Sequence, residues 1–224
     1  MTSHLLRRAI LRSTTGIHKG RIRFNLVNGH IAQKLLFRRD LERKAVSRTL
    51  FRIFWPMLPQ RRLLMPLVQP KGIWCFYTKP LIAELARLVD GRACLEIGAG
   101  DGTLTRLLQE AGVEITATDN HSWTESIRFP DFVLKQDAQS ALAKRQPEVV
   151  ICSWPPAGNS FEQHVFRTAS VQLYVVIGSA SEHSSGNWAT YRQQTTFDHV
   201  EDAHLARLLI PPEVQHAVHV FRRR

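Results

Sequence analysis

Acidic side chains are almost missing from the first third of this chain. Residues 1–70 hold two, Asp40 and Glu42, against 15 Lys+Arg, a net charge of +13. Residues 71–224 hold 17 acids against 15 Lys+Arg, a net −2, so the two parts sum to the +11 of the whole. Cysteine is scarce too: Cys75, Cys94 and Cys152 are the only three in 224 residues, with no CxxC pair. That excludes a disulfide framework and a zinc ribbon, and it makes a reducing, cytoplasmic location the expected one. No run of about 18 apolar residues exists, so no helical membrane span is expected. With 44% hydrophobic and 22% charged residues, the chain is neither disordered nor collagen-like.

The charge asymmetry predicts a near-neutral, enzyme-sized domain over 73–224 behind a basic, mostly helical extension over 1–72. Residues 5–12 and 30–54 have helix-forming composition. Ile31, Leu35, Val46, Leu50 and Ile53 fall on one stripe of a helical wheel. Pro56, Pro59, Pro66 and Pro70 then predict a surface linker over 55–72, because proline cannot continue a helix. The first 39 residues carry no acid. They read as a basic surface extension, with an organellar transit peptide as the alternative.

From residue 73 onward helices and strands alternate. A helix over 80–89 opens at Pro80, a good first-turn residue, and a short apolar strand covers 93–97. Leu104, Leu107, Leu108 and Ala111 keep i, i+3, i+4, i+7 spacing, so 103–111 is a helix closed by Gly112. Strands follow at 115–118 and 131–135, a helix at 138–145, a strand at 148–152, a helix at 162–169 and a strand at 173–177. Residues 208–210 and 214–221 read as two strands joined by a short Pro-Pro turn. The pattern is that of a doubly wound, mostly parallel α/β sheet with helices on both faces.

The strongest motif is Leu95-Glu96-Ile97-Gly98-Ala99-Gly100-Asp101-Gly102-Thr103-Leu104-Thr105. It lies after the first strand of the alternation and opens the next helix, where such sheets bind nucleotide-type ligands. Its third glycine follows the second by two residues rather than three, unlike the dinucleotide fingerprint. Asp119 ends the second strand, where a carboxylate can accept from both hydroxyls of a ribose.

Residues 94–119 resemble the first two motifs of class I S-adenosylmethionine-dependent methyltransferases, and the resemblance extends over 73–224. It implies a Rossmann-like seven-stranded sheet, S-adenosyl-L-methionine as cofactor and methyl transfer as activity. Gly98, Gly100 and Gly102, with Ala99 between them, would wrap the methionine part. Glu96 would organise that loop, and Asp119, with Asn120 beside it, would hold the ribose. Gln136-Asp137-Ala138 is similar to the adenine-contacting motif, with Asp137 accepting from the exocyclic amine. Trp74-Cys75-Phe76-Tyr77-Thr78-Lys79-Pro80 is similar to the aromatic-Thr-x-Pro element of amino-methyltransferases, which makes Tyr77, Thr78 and Lys79 candidates to meet the methionine carboxylate. The same residues also make a good helix start, with Thr78 as its cap.

Acceptor residues are expected after the fourth strand, at Ser153-Trp154-Pro155-Pro156-Ala157-Gly158-Asn159. This resembles the Asn/Asp/Ser-Pro-Pro-aromatic motif of amino-methyltransferases, though Trp154 precedes the prolines and Ala157 stands where an aromatic belongs. The resemblance implies catalytic roles for Ser153, Trp154, Pro155 and Pro156, with Ser153 also bordering the cofactor. The bland alternative is a rigid turn. Residues 178–188 read as a loop over the pocket, and His183 or Glu182 there could serve an oxygen acceptor as base. His199, His204, His216 and His219 read as scattered surface histidines rather than a metal site, and Cys94 and Cys152 as packing residues.

Three functions compete. One is a methyltransferase acting on an amino nitrogen of a small molecule or side chain. The second is an RNA- or DNA-modifying enzyme whose residues 1–55 grip phosphates, with Phe24, Phe37, Phe51, Phe54 and Trp55 among the arginines. Gly102-Thr103-Leu104-Thr105 resembles the rRNA adenine dimethyltransferases, but Thr118-Asp119-Asn120 and Ser153-Trp154-Pro155-Pro156 depart from their pattern. The third is a non-catalytic binding protein on the cofactor fold, or one docked on anionic lipid. The acceptor molecule and the oligomeric state stay open.

Overall fold

A computed structural model of the chain describes residues 26–224. The helix expected over 5–12, Phe24 and most of the acid-free leader lie outside them.

The N-terminal part is built from helix α1 (Leu26–Leu36), helix α2 (Arg48–Phe54) and helix α3 (Leu64–Val68). The single helix suggested over 30–54 is interrupted. Phe37 and Arg43 bridge antiparallel around a turn in which Asp40 takes φ 47°, and Ser47 restarts the chain as N-cap of α2. The wheel stripe therefore splits. Leu35 and Val46 are buried, whereas Leu50 and Ile53 face solvent. The proline-rich stretch is no surface linker either. Leu58, Leu64, Met65, Leu67, Val68 and Ile73 are buried with Phe51 and Trp55 in one apolar cluster. Prolines set the corners of this path, and the side chains between them close the core.

Strand β1 (Phe76–Tyr77) precedes helix α4 (Lys79–Val89). Thr78 caps α4 by accepting from Leu81 N at 3.3 Å, and Leu81, Ile82, Leu85 and Val89 form its buried face. Next come β2 (Cys94–Ile97), α5 (Thr103–Glu110), β3 (Ile115–Asp119), β4 (Val133–Lys135), α6 (Ala138–Arg145), β5 (Val149–Ser153), α7 (Gln163–Arg167) and β6 (Leu173–Ser179). The chain ends with α8 (Trp188–Gln193), β7 (Phe197–Glu201), α9 (Ala203–Ala206), β8 (Leu209–Ile210) and β9 (His216–Arg223).

Seven strands form one sheet in the order β4-β3-β2-β5-β6-β9-β7. The first five run parallel, and β9 is antiparallel to both neighbours. Every residue of β2 and β6 is buried, as expected for strands covered by helices on both faces. The last two strands expected from sequence do not pair with each other. β8 joins β1, with Phe76 opposite Ile210, while β9 inserts between β6 and β7. Phe76 and Ile210 pack into the N-terminal cluster, so this small second sheet ties residues 26–72 to the main one.

Candidate functional site

The parallel strands end on one side of the sheet, where their loops enclose a cavity of about 440 Å³. That is within the usual size for a small-molecule site. The turn after β2 forms its floor. Gly98 and Gly100 take φ 62° and 57°, a conformation that suits glycine because a Cβ crowds the following carbonyl. A Cβ built on Gly98 would lie 3.7 Å from Cys152 Sγ and 4.0 Å from the Phe161 ring, so a side chain there would enter the cavity. Ala99 also lines it. Gly102 does not. Its Cβ would fall 2.6 Å from the Phe132 ring and 2.7 Å from Val133, so this glycine serves packing against β4.

Glu96 lies beneath the loop. Its Oε2 accepts from Thr105 N at 2.9 Å and from Thr105 Oγ1 at 2.5 Å, which pins the start of α5. Burial pushes its carboxyl up to about 8. Asp119 stands at the end of β3. Its Oδ2 accepts from Gly100 N at 3.0 Å and its Oδ1 from His121 N at 2.8 Å. Each oxygen keeps a lone pair for another donor. Asn120, Gln136, Asp137 and Ala138 continue the wall. Asp137 caps α6 by accepting from Ser140 N at 2.9 Å, and that backbone bond holds its carboxyl below the usual range.

The opposite wall is β1 and the loop after β5. Tyr77 OH and Ser153 Oγ are 2.8 Å apart, although 76 residues separate them in sequence. Burial holds the Tyr77 phenol well above its ordinary pKa, so it stays protonated. Trp154, Pro155 and Pro156 line the cavity. Trp154 takes φ 58°, an uncommon conformation for so bulky a residue, and its N–H donates to Ile177 O at 2.6 Å. Its ring lies near-parallel to that of Trp74 at 5.8 Å, and Trp123 meets Trp74 edge-on at 6.4 Å. All three indoles border the cavity.

Glu162 holds the acceptor loop in place. Its Oε1 accepts from Tyr174 OH and Tyr191 OH, each at 2.5 Å. Its Oε2 accepts from Asn159 Nδ2 at 2.6 Å and Asn187 N at 2.8 Å. Burial raises its carboxyl. Gly186 N then donates to Pro155 O at 3.0 Å, joining the loop over 178–188 to the prolines. His183 of that loop reaches the cavity, while Glu182 is turned away to Arg192.

Two further expectations are corrected. Lys79 is exposed at the first turn of α4 and does not line the cavity. The cation found there is Arg43, from the N-terminal part. Its Nη1 donates to Cys75 O at 2.8 Å and its Nη2 to Asp101 Oδ1 at 2.7 Å, and its Nε is buried without a partner. Burial alone would raise Asp101, but the guanidinium outweighs it and holds that carboxyl below the usual range. His219 is not a surface residue either. It is 3% exposed, with Nδ1 3.1 Å from His199 Nε2, and burial lowers it to about 4. Burial likewise takes His216 to about 4. Sequence reasoning passed over Arg43, Trp123, Phe161 and Glu162. Nothing local marks Arg43, which follows Glu42 in sequence yet pairs with Asp101, 58 residues further on.

Neither a protein-family model nor a curated protein matches the sequence. Among solved structures, the plantazolicin methyltransferase BpumL in complex with SAH is 9% identical; the match covers 76% of this chain and 93% of that one, with a TM-score of 0.45. Magnesium protoporphyrin IX methyltransferase from Synechocystis PCC 6803 with bound SAM is 12% identical over 65% of this chain and 79% of that one, with a TM-score of 0.44. The 23S rRNA methyltransferase ErmE is 18% identical over 65% and 68%, with a TM-score of 0.39. At these values the likenesses add nothing to the strand order. That order, five parallel strands and a last strand inserted antiparallel before the edge, with a glycine turn after β2, matches the Rossmann-like methyltransferase fold expected from the sequence.

Proposed function

We propose that this chain is an S-adenosylmethionine-dependent methyltransferase acting on an amino nitrogen of a small, flat molecule or side chain. The observation that carries the reading is convergence: the glycine turn, Asp119 and Ser153-Trp154 border one cavity although they come from three separate strand ends. The residues suit the cofactor. Gly98 and Gly100 leave open floor for a close approach, Asp119 has lone pairs left for ribose hydroxyls, and Asp137 borders the same wall.

S-adenosylmethionine, when bound, supplies an activated methyl group on sulfur. The protein supplies position and handles one proton. Either hydroxyl of the Tyr77–Ser153 pair can donate to the other; with the neutral Tyr77 phenol as donor, Ser153 Oγ has its own proton and a second lone pair for the acceptor. An amine held there needs no strong base, because its proton can leave after transfer. With Glu182 turned to Arg192, no carboxylate of that loop lines the cavity. The indoles of Trp74 and Trp154 offer an acceptor a flat apolar surface.

Calorimetry tests the cofactor half. S-adenosylmethionine should bind, S-adenosylhomocysteine should compete and NAD should not. Asp119→Ala should weaken binding by about 1.5–3 kcal/mol, the cost of lost hydrogen bonds to a charged acceptor. Unchanged affinity in a folded variant would remove the ribose role. For the acceptor half, Ser153→Ala should lose about tenfold to a thousandfold in turnover while His183→Ala is nearly silent. The reverse outcome would favour an oxygen acceptor with His183 as base.

A further inference from the structure

Helix α2 is apolar on two faces, and the fold uses only one of them. Phe51 and Trp55 turn inward and are 4% exposed each. Leu50, Ile53, Phe54 and Met57 turn outward, at 49, 54, 41 and 65% exposure. Their spacing is i, i+3, i+4, i+7. At 100° per residue Leu50, Ile53 and Phe54 cover a sector of about 100° of α2, and Met57 follows in the turn after the helix end. Four large exposed apolar side chains within eight residues are a concentration of the kind that marks an interaction surface, unlike singly scattered ones.

The stretch of chain that carries the patch has charge of one sign, and Glu213, which reaches it from far along the chain, is engaged by Arg61 and Trp55. No acid occurs from residue 43 through residue 83, while eight Lys+Arg do. Arg48, Arg52 and Arg62 are exposed in the same stretch of chain. Residues 1–25 add six Lys+Arg and no acid. We propose that α2 and the turn after it dock the protein on an anionic lipid bilayer. Leu50, Ile53, Phe54 and Met57 enter the headgroup region, and the arginines stay at the level of the phosphates.

Two other occupants fit less well. A second copy of the chain would bury roughly 800 Å² per partner, whereas four half-exposed side chains offer on the order of 400 Å². Juxtaposing the two basic faces would add repulsion. Single-stranded nucleic acid is held by aromatic rings that stack on bases. This stripe has one ring, Phe54, and three aliphatic side chains that give a base nothing flat to stack on.

The test is sedimentation of the full chain with vesicles of phosphatidylcholine alone or with about 30% phosphatidylglycerol, the anionic component that basic side chains sense. The anionic vesicles should bind at least tenfold more protein. Ile53→Ser combined with Phe54→Ser should lower that binding at least tenfold while leaving the melting temperature and S-adenosylmethionine affinity unchanged. Arg48→Gln with Arg52→Gln should lower it severalfold and flatten its dependence on salt. Absent vesicle binding, or full binding by the Ile53/Phe54 variant, overturns the proposal. So does an RNA complex that forms in place of vesicle binding, or a dimer seen by light scattering that this variant dissolves.

Discussion

Residues 26–72 and the sheet they cover hold their charges differently. In the sheet, two carboxylates of the cavity wall are satisfied by backbone N–H groups: Asp119 by residues 100 and 121, and Asp137 by the first turn of its own helix. In the N-terminal part the cations reach across. Arg38 pairs with Glu110 at 2.5 Å, Arg43 with Asp101 at 2.7 Å and Arg61 with Glu213 at 3.2 Å, while Trp55 Nε1 also donates to Glu213. Part of the +13 of residues 1–70 is thus neutralised by the acid excess downstream, and those arginines are not available to an outside polyanion. The pairs are also unequal. Arg38 and Glu110 are 41% and 42% exposed, so that pair contributes little. Arg43 and Asp101 are 7% and 27% exposed, so neither charge can be left alone cheaply.

The largest predicted effect breaks that joint. Arg43→Leu should cost about 3–5 kcal/mol in denaturant unfolding, because it strands Asp101. Adding Asp101→Asn should recover part of the loss, and a purely additive pair would mean that the two groups are not coupled. On charge alone, deleting residues 1–55 would merely strip a polyanion-binding arm. Since Arg43, Val46, Phe51 and Trp55 go with it, the deletion should instead weaken cofactor binding as well.

A smaller effect separates two glycines of one turn within the sheet. Gly102→Ala should destabilise by about 1–3 kcal/mol, since its Cβ meets Phe132 and Val133 at a positive φ. Gly98→Ala has room within the fold and should act mainly on cofactor affinity. Unfolding and binding titrations of the two variants should therefore give opposite patterns.

The smallest effect is a slope with pH, and it belongs to the sheet. His216 and His219 have folded pKa values lowered to about 4, against about 6.5 when unfolded. Between those values the unfolded chain binds more protons, so stability rises with pH there. Their contribution is complete above about pH 6.5 and is lost as pH falls through about 4. Glu96 has the opposite sign, because a carboxyl raised to about 8 contributes most below about pH 4.5 and loses that as pH rises through 8. Denaturant midpoints between pH 5 and 7 should fall more slowly on acidification in His219→Phe. Asp101 and Glu110 are held below the usual carboxylate range, so the cross-chain pairs stay charged over that interval.

The same contrast governs what the sequence discloses. Strands 94–97 and 149–153 and the helix over 138–145 are legible because their pattern is local: apolar runs, i+3/i+4 spacing, glycine at the turns. Glycine loop, Asp119 and Ser153 follow from their place in that alternation. The interruption at 37–47 was legible only in part: Arg39, Glu42 and Arg43 break the apolar stripe of 30–54, while its composition does not oppose a helix. What breaks it is tertiary, the pairing of Phe37 with Arg43 and the burial of Arg43 against Asp101. The fate of 55–72 was hidden for a related reason, since proline reports where a chain must turn and not which side it buries. Partners far apart in sequence, such as Tyr77 with Ser153 or Glu162 with Tyr191, have no local signature at all.

Trp154 carries a consequence for engineering. A left-handed backbone costs a non-glycine residue about 1–2 kcal/mol, and its indole Nε1 is buried without a partner. A library screened for heat resistance alone is therefore pulled toward glycine at this position. A library screened for turnover keeps the ring that faces the cavity. Divergent outcomes at residue 154 under the two selections would mark it as a place where durability and catalysis ask for different side chains.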